Sequence, residues 1–317
     1  MKVAGGDERV GYRSFSTYLK EKYGEKVRRI SLNAGFGCPR RGPGENTGCA
    51  FCNENAFSDR NKAALSIKEQ IELSAADLEK KYGVRKFIAY FQNGTSTNAD
   101  PARMKEVYDN VRRADADIVG LFVSTRPDCV DREKMRVIRE YTSMYEVWME
   151  YGIQTVDDVR LMKLNRGHDF KCSVAAVRLT REFGIKCAAH LMLGLPGEDN
   201  ATFREEARTI SSLGLDGVKV HVLHILRNTF FEDEYLSGRL RTVSRRDYVI
   251  RVCDLLERLS SECVILRLVP DAGEEYLIAP DWMKDKTGVI NDIRGELKAR
   301  GTSQGEFYSP PENAAGG

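Results

Sequence analysis

The stretch Arg28-Arg29-Ile30-Ser31-Leu32-Asn33-Ala34-Gly35-Phe36-Gly37-Cys38-Pro39-Arg40-Arg41-Gly42-Pro43-Gly44-Glu45-Asn46-Thr47-Gly48-Cys49-Ala50-Phe51-Cys52 runs a short apolar strand signal into a Gly- and Pro-rich loop with three cysteines. The cysteines stand as C-x10-C-x2-C, with no fourth nearby in sequence. A structural zinc site normally closes with four protein ligands, whereas an iron–sulfur cluster held by three thiolates keeps one iron open. A loop of this composition can wrap a cluster and turn backbone N–H groups toward its sulfides, with Phe51 as a shield against water. A zinc clip completed by a distant Cys or His is the alternative, and spacing leaves both open.

Downstream, short apolar runs alternate with runs of helical period, the pattern of parallel βα units. Candidate strands are Arg28–Leu32, Lys86–Phe91, Ile118–Val123, Glu146–Gly152, Lys186–Leu191 and Val218–Leu223, with Val264–Val269 as a candidate seventh. Between them Met104, Val107, Tyr108 and Val111 recur at helical spacing, as do Phe203, Ala207, Ile210 and Leu213, and Tyr248, Val252, Leu255, Leu256 and Leu259. Six or seven such units in series, joined by right-handed crossovers, favour a full or partial (β/α) barrel over a flat sheet. The expected layout is an N-terminal extension over 1–25, a barrel over 26–270, a C-terminal extension over 271–308 and a disordered tail over 309–317.

The 317 residues are 42% hydrophobic and 30% charged, enough for a sizeable core. A formal charge of +2 declares neither a nucleic-acid nor a membrane partner. No apolar run approaches the roughly 20 residues of a membrane helix, and no secretion signal opens the chain, so a cytoplasmic protein without membrane contact is expected. The eight cysteines, mostly inside apolar elements, read as reduced thiols, in keeping with that compartment. Lys20, Lys22, Lys26, Arg28, Arg29, Arg40 and Arg41 offer phosphate contacts near the cysteine loop. Glu21 and Glu25 interrupt that run, and a solvated helix face has the same composition.

In barrels of this kind functional groups gather where strands run into the following loops. The second strand leads to Gln92-Asn93-Gly94-Thr95-Ser96-Thr97 and the third to Ser124-Thr125-Arg126-Pro127-Asp128-Cys129. The fourth holds Glu150 and is followed by Gln154 and by Asn165-Arg166-Gly167-His168. His190 closes the fifth, ahead of Gly194-Leu195-Pro196-Gly197, and the sixth carries Lys219 and His221 on one face, followed by His224. Plainer roles exist for several of these: Glu150 and Lys219 as a core ion pair, Arg166 as a helix C-terminal residue beside an αL Gly167, Cys129 as a buried thiol.

These motifs together resemble the radical S-adenosylmethionine (SAM) superfamily, within it the Elongator-subunit-3-like branch, and most closely the short YhcC/YtqA-like proteins. The resemblance runs from about Gly11 to Gly305 and includes Leu277-Ile278-Ala279-Pro280-Asp281-Trp282 and Arg300-Gly301-Thr302-Ser303-Gln304-Gly305. The cysteine spacing is wider than the superfamily's commonest C-x3-C-x2-C, and the glycine-rich second motif is reduced to Asn93-Gly94. The resemblance implies a partial (β/α)6 TIM-like radical SAM barrel in which Cys38, Cys49 and Cys52 ligate a [4Fe-4S] cluster and SAM chelates the fourth iron. It implies Gln92, Asn93, Gly94 and Thr95 near the methionine amino group, Glu150 and Gln154 near the ribose, Arg166 near the carboxylate and Gly194 near the adenine. His190 and His221 are the candidate catalytic side chains, with Asp271 as a further candidate contact. The implied partners are an electron donor such as flavodoxin or ferredoxin and, as one substrate class, tRNA at its wobble uridine. A small metabolite or a peptide is the other substrate class. No acetyltransferase domain is expected within this chain.

Overall fold

The computed structural model describes residues 11–42, 48–53, 64–270, 273 and 275–310. Its strands are β1 (Val27–Asn33), β2 (Lys86–Asn93), β3 (Asp117–Thr125), β4 (Glu146–Gln154), β5 (Lys186–Leu193), β6 (Gly217–Val222), β7 (Ile225–Leu226), β8 (Val264–Arg267) and β9 (Leu277–Ala279). The first six and β8 form one parallel sheet in chain order, while β7 and β9 make a separate antiparallel pair. The candidate seventh strand thus joins the sheet, and the barrel has seven strands rather than six. It curls into a half-barrel: Lys219 on β6 donates to the Tyr90 hydroxyl on β2 at 2.6 Å, although the two strands are four places apart.

Side-chain alternation sorts the strand residues onto two faces. Ile30, Leu32, Phe91, Val123, Met149, Tyr151 and Leu191 point outward and pack on the apolar stripes of the surrounding helices. Those helices start and stop on local chemistry. Ile67–Tyr82 opens with a capping box of Ser66 and Glu69 and closes on the left-handed Gly83. The three apolar stripes fall on Pro101–Tyr108 with its 3-10 continuation, Asn200–Ser212 and Arg245–Arg258. Among the described residues no helix is long and apolar enough to cross a membrane.

The inward residues Ile88, Phe122, Trp148, Ala188, Val264 and Leu266 form a second core with Tyr18 and Leu19 of α1 (Phe15–Tyr23). The described part of the expected N-terminal extension, residues 11–25, thus plugs the barrel floor. Its tyrosines turn to the N-terminal ends of the strands: Tyr18 and Tyr23 both donate to Glu146, and Lys22 and Lys186 pair with the same carboxylate. Lys22 is held at the floor, remote from the strands' C-terminal ends where the cysteine loop lies. Of the basic residues named above as phosphate contacts, Lys22 is thus engaged with Glu146 instead.

Burial alone would raise the Glu146 carboxyl, but hydrogen bonds from Lys186, Tyr18, Lys22 and Trp148 hold it down at about 2. A depressed carboxylate contributes stability above its unfolded value and loses it as pH falls through the folded one. The urea stability gap between the protein and Glu146→Gln is accordingly expected to be full at pH 6 and to shrink steadily between about pH 4.5 and 2. A gap that stays constant over that range would contradict the assignment.

The C-terminal region carries a helix, Lys286–Arg300, that packs on Arg245–Arg258. Beyond it Gln304 ties the first and last described segments together. Its amide accepts from Arg13 N at 2.8 Å and donates to Ser260 O and Cys263 O. Residues 1–10, 43–47, 54–63, 271, 272, 274 and 311–317 lie outside the described residues, and with them Asp271 and most of the expected tail.

Candidate cluster and cofactor site

A cavity of about 750 Å³ opens at the C-terminal ends of the strands. Cys38, Cys49 and Cys52 all line it, as do Gln92, Asn93, Gly94, Thr95, Gln154, Arg166, His190 and His221. The cysteine loop is held from three sides. Thr95 N, after β2, donates to Gly37 O at 2.8 Å; Ala50 N donates to Leu164 O at 3.0 Å; Phe231 N donates to Ala50 O at 3.2 Å. Phe51 lines the cavity and packs in a small apolar cluster with Leu164, Met192 and Phe231. Arg41 donates to Cys52 O at 2.6 Å, and Arg40 bonds Asn165. Both arginines, offered above as phosphate contacts, thus brace the loop.

Gly94 sits at φ +69°, and a Cβ there would lie 2.8 Å from Gly37 O, against the loop that carries Cys38. Left-handed backbone costs a non-glycine residue roughly 1–2 kcal/mol, and the contact adds to it. Gly94→Ala is expected to destabilise the protein by about 2 kcal/mol in urea unfolding. Unchanged stability would mean that the close approach is not required.

On the other flank, the helix Asp158–Lys163 ends with Asn165 at φ 54° and Gly167 at φ 73°, which projects Arg166 inward. Its Nη1 donates to Cys49 Sγ at 3.2 Å and its Nη2 to Gly152 O at 2.7 Å. The residue therefore ends a helix and also brings a cation to the cysteine wall. A Cβ on Gly152 would lie 3.0 Å from Arg166 Nη2 and 2.9 Å from Gln154 Nε2, so a side chain there would have to displace the tips of both. Arg126 is buried and bidentate to Asp128, at 2.9 and 2.7 Å, and donates to the Arg166 carbonyl. Arg166 Nε and Arg126 Nη1 are buried with no hydrogen-bond partner among the described residues, leaving donors for a bound group.

Glu150 and Gly194 do not line the cavity. Glu150 is fully buried beneath it, 2.8 Å from the Tyr90 hydroxyl, 2.6 Å from His190 Nε2 and 3.8 Å from Lys219 Nζ. The ion pair with Lys219 is thus bridged by Tyr90 and extended by His190. Burial opposes ionisation of Glu150, but the Lys219 charge and the His190 hydrogen bond outweigh it and hold the carboxyl well below its ordinary range. His190 is pushed down to about 4, by burial first and the Lys219 charge second, so at neutral pH its uncharged ring donates Nε2–H to Glu150. Gly194 N and Leu195 N donate to Glu198, and Val243 fills the space where a Gly194 side chain would go.

Arg267 was not legible as a site residue, yet it lines the cavity with Nη2 2.9 Å from His221 Nδ1. A lone arginine in Val264-Ile265-Leu266-Arg267-Leu268-Val269 was the available signal. His224 also lines the cavity, with Nδ1 2.9 Å from Val222 O, whereas His168 stands outside it. Cys129 is likewise outside, a buried thiol pushed up to about 11 by burial and the Asp128 charge. No group of three or more His, Cys, Asp or Glu side chains converges on a single ion among the described residues. In a cluster each thiolate binds a different iron.

Three thiols at a cavity on the C-terminal ends of parallel strands are the layout of a barrel enzyme's site. Residues 33–210 match the Radical SAM superfamily and residues 215–299 the Radical_SAM C-terminal domain, so the chain belongs to the radical SAM superfamily. YtqA of Bacillus subtilis is 34% identical over 299 residues, 94% of this chain and 92% of that one. Protein YhcC of Escherichia coli is 35% identical over 302 residues, 94% of this chain and 96% of that one. Among solved structures, the archaeal Methanocaldococcus infernus Elp3 with an N-terminal deletion shares the fold, with a TM-score of 0.67 at 16% identity over 88% of this chain and 64% of that one.

Proposed function

We propose that Cys38, Cys49 and Cys52 hold a [4Fe-4S] cluster whose open iron takes SAM, and that the enzyme acts on a substrate bound in the axial cavity. The observation that carries this reading is that all three thiols line one cavity together with Arg166 and the loop after β2. The donor set fits: thiolates for iron, a guanidinium beside Cys49 for a centre of net negative charge, and buried unpartnered donors on Arg166 and Arg126 for a carboxylate. When bound, such a cluster supplies the electron that cleaves SAM to a 5′-deoxyadenosyl radical, which abstracts hydrogen from the substrate. The chain's own part is to fix the loop through Thr95, Leu164 and Phe231, to bring the Arg166 charge to Cys49, and to screen that side with Phe51.

For the substrate, the Elongator-like resemblance supports a wobble uridine of tRNA. The floor position of α1 means that this reading draws nothing from Lys22. Salt-sensitive binding of bulk tRNA to the reconstituted protein supports an RNA substrate, since phosphate contacts release counterions; absence of binding favours a small metabolite or a peptide.

Anaerobic reconstitution with iron and sulfide, followed by metal analysis and visible absorption, tests the cofactor assignment. A brown chromophore with iron and sulfide is expected. A colourless protein that retains zinc would overturn it.

A further inference from the structure

We propose that Arg166 sets the reduction potential of the cluster, its guanidinium holding that potential up through a charge-assisted N–H···S bond to Cys49. The inference rests on the [4Fe-4S] reading given above and makes Arg166 a positioning residue, one that acts on the cluster through its cysteine ligand.

The contact is built into the backbone on both sides. Three successive residues that follow the helix Asp158–Lys163 each meet one of three successive residues of the cysteine loop. Ala50 N donates to Leu164 O at 3.0 Å, Asn165 Nδ2 donates to Gly48 O at 2.7 Å, and Arg166 Nη1 donates to Cys49 Sγ at 3.2 Å. Cys49 is thus held at its sulfur while the residues on either side of it are tied to the same turn. That turn keeps its cation in place. Asn165 takes left-handed backbone, uncommon for a residue with a side chain, and its carboxamide oxygen accepts from Arg40. Arg126 donates to the Arg166 carbonyl, and Arg166 Nη2 is fixed on Gly152 O at 2.7 Å. Arg166 is 6% exposed and Cys49 9%, so the bond lies away from bulk water, where charge interactions are stronger.

An iron–sulfur core held by thiolates is a centre of net negative charge, and the electron it accepts on reduction adds to that charge. A fixed cation bonded to one ligand sulfur therefore stabilises the reduced form more than the oxidised one and raises the potential. A guanidinium suits this role because it stays charged at every pH the fold tolerates. The electron comes from the external reductant, and no bond to Arg166 is made or broken. A guanidinium that served only the SAM carboxylate would leave the SAM-free potential untouched, so the two roles have different signatures.

Redox titration of the reconstituted protein without SAM, with dithionite as reductant and electron paramagnetic resonance as readout, tests this in wild type, Arg166→Gln and Arg166→Lys. Arg166→Gln is expected to move the midpoint to more negative values by at least about 59 mV, which is about a tenfold lower ratio of reduced to oxidised cluster at a given potential. Arg166→Lys keeps a cation and should recover part of that shift. An unchanged or more positive midpoint in Arg166→Gln, or a lysine variant as low as the glutamine one, would overturn the proposal. Circular dichroism with iron and sulfide analysis of each variant separates a change of potential from loss of fold or cluster. Should Arg166→Gln hold no cluster, the wild type carries the test: protein grown with isotope-labelled guanidinium nitrogen should show coupling of that nitrogen to the reduced cluster in pulsed electron paramagnetic resonance, and absence of coupling contradicts the bond. A wild type that takes up no iron and sulfide fails the cofactor reading before any potential is read, whereas a loaded wild type whose midpoint matches that of Arg166→Gln fails this inference alone.

Discussion

Cys52→Ala is expected to leave a folded barrel that no longer retains iron and sulfide, and to lower SAM cleavage by more than about 100-fold, since even the outer partners of metal ligands are worth about 10–100-fold. The separation of fold from cofactor follows from where Cys52 sits. It is half-buried at the cavity, outside both barrel cores, and the loop keeps its attachments through Ala50, Thr95 and Arg41. Far-ultraviolet circular dichroism should match wild type while the visible absorption is lost. A full complement of iron and sulfide in this variant would remove Cys52 from the ligand set.

Glu150→Gln has the largest expected effect on stability. Glutamine keeps the shape and can still bond Tyr90 and His190, but it leaves Lys219 and Arg29 without their carboxylate. Breaking a buried charge pair from one side costs about 3–5 kcal/mol, and urea unfolding of the cluster-free protein should show a loss of that order. Lys219→Met in the same background should restore part of it, because the buried cation goes as well. The Glu150 carboxyl is held below its ordinary range, so its contribution is present above the unfolded value near 4.5 and is lost only in stronger acid. A loss under about 1 kcal/mol at pH 7 would show that the buried charges are already compensated.

The parts of this molecule set by local pattern were readable from the chain. Parallel strands buried on both sides read as apolar runs, and helical stripes as Tyr248 through Leu259 do, because each reflects contact with one continuous core. The three cysteines stood out because thiols among turn formers have few structural uses, and the structure brings all three to one cavity. What escaped was set by closure of the sheet. Nothing near residues 11–25 announces that Tyr18 and Leu19 will meet Trp148 and Ala188, since that contact exists only once seven strands have curled. Glu150 was legible in part: the pairing with Lys219 follows from their inward strand faces, but that Tyr90 bridges the two and His190 extends the network depends on the curl. Arg267 was hidden in a strand whose apolar neighbours suggested only core.

The central claim is that the three cavity thiols hold a cluster that cleaves SAM. Its most direct test is 5′-deoxyadenosine formation from SAM by the anaerobically reconstituted, dithionite-reduced protein, set against the Cys38/Cys49/Cys52 triple alanine variant treated identically. Deoxyadenosine from the wild type and none above background from the variant is the predicted result. Equal amounts from both, or none from a wild type that holds its full cluster and its substrate, would contradict it.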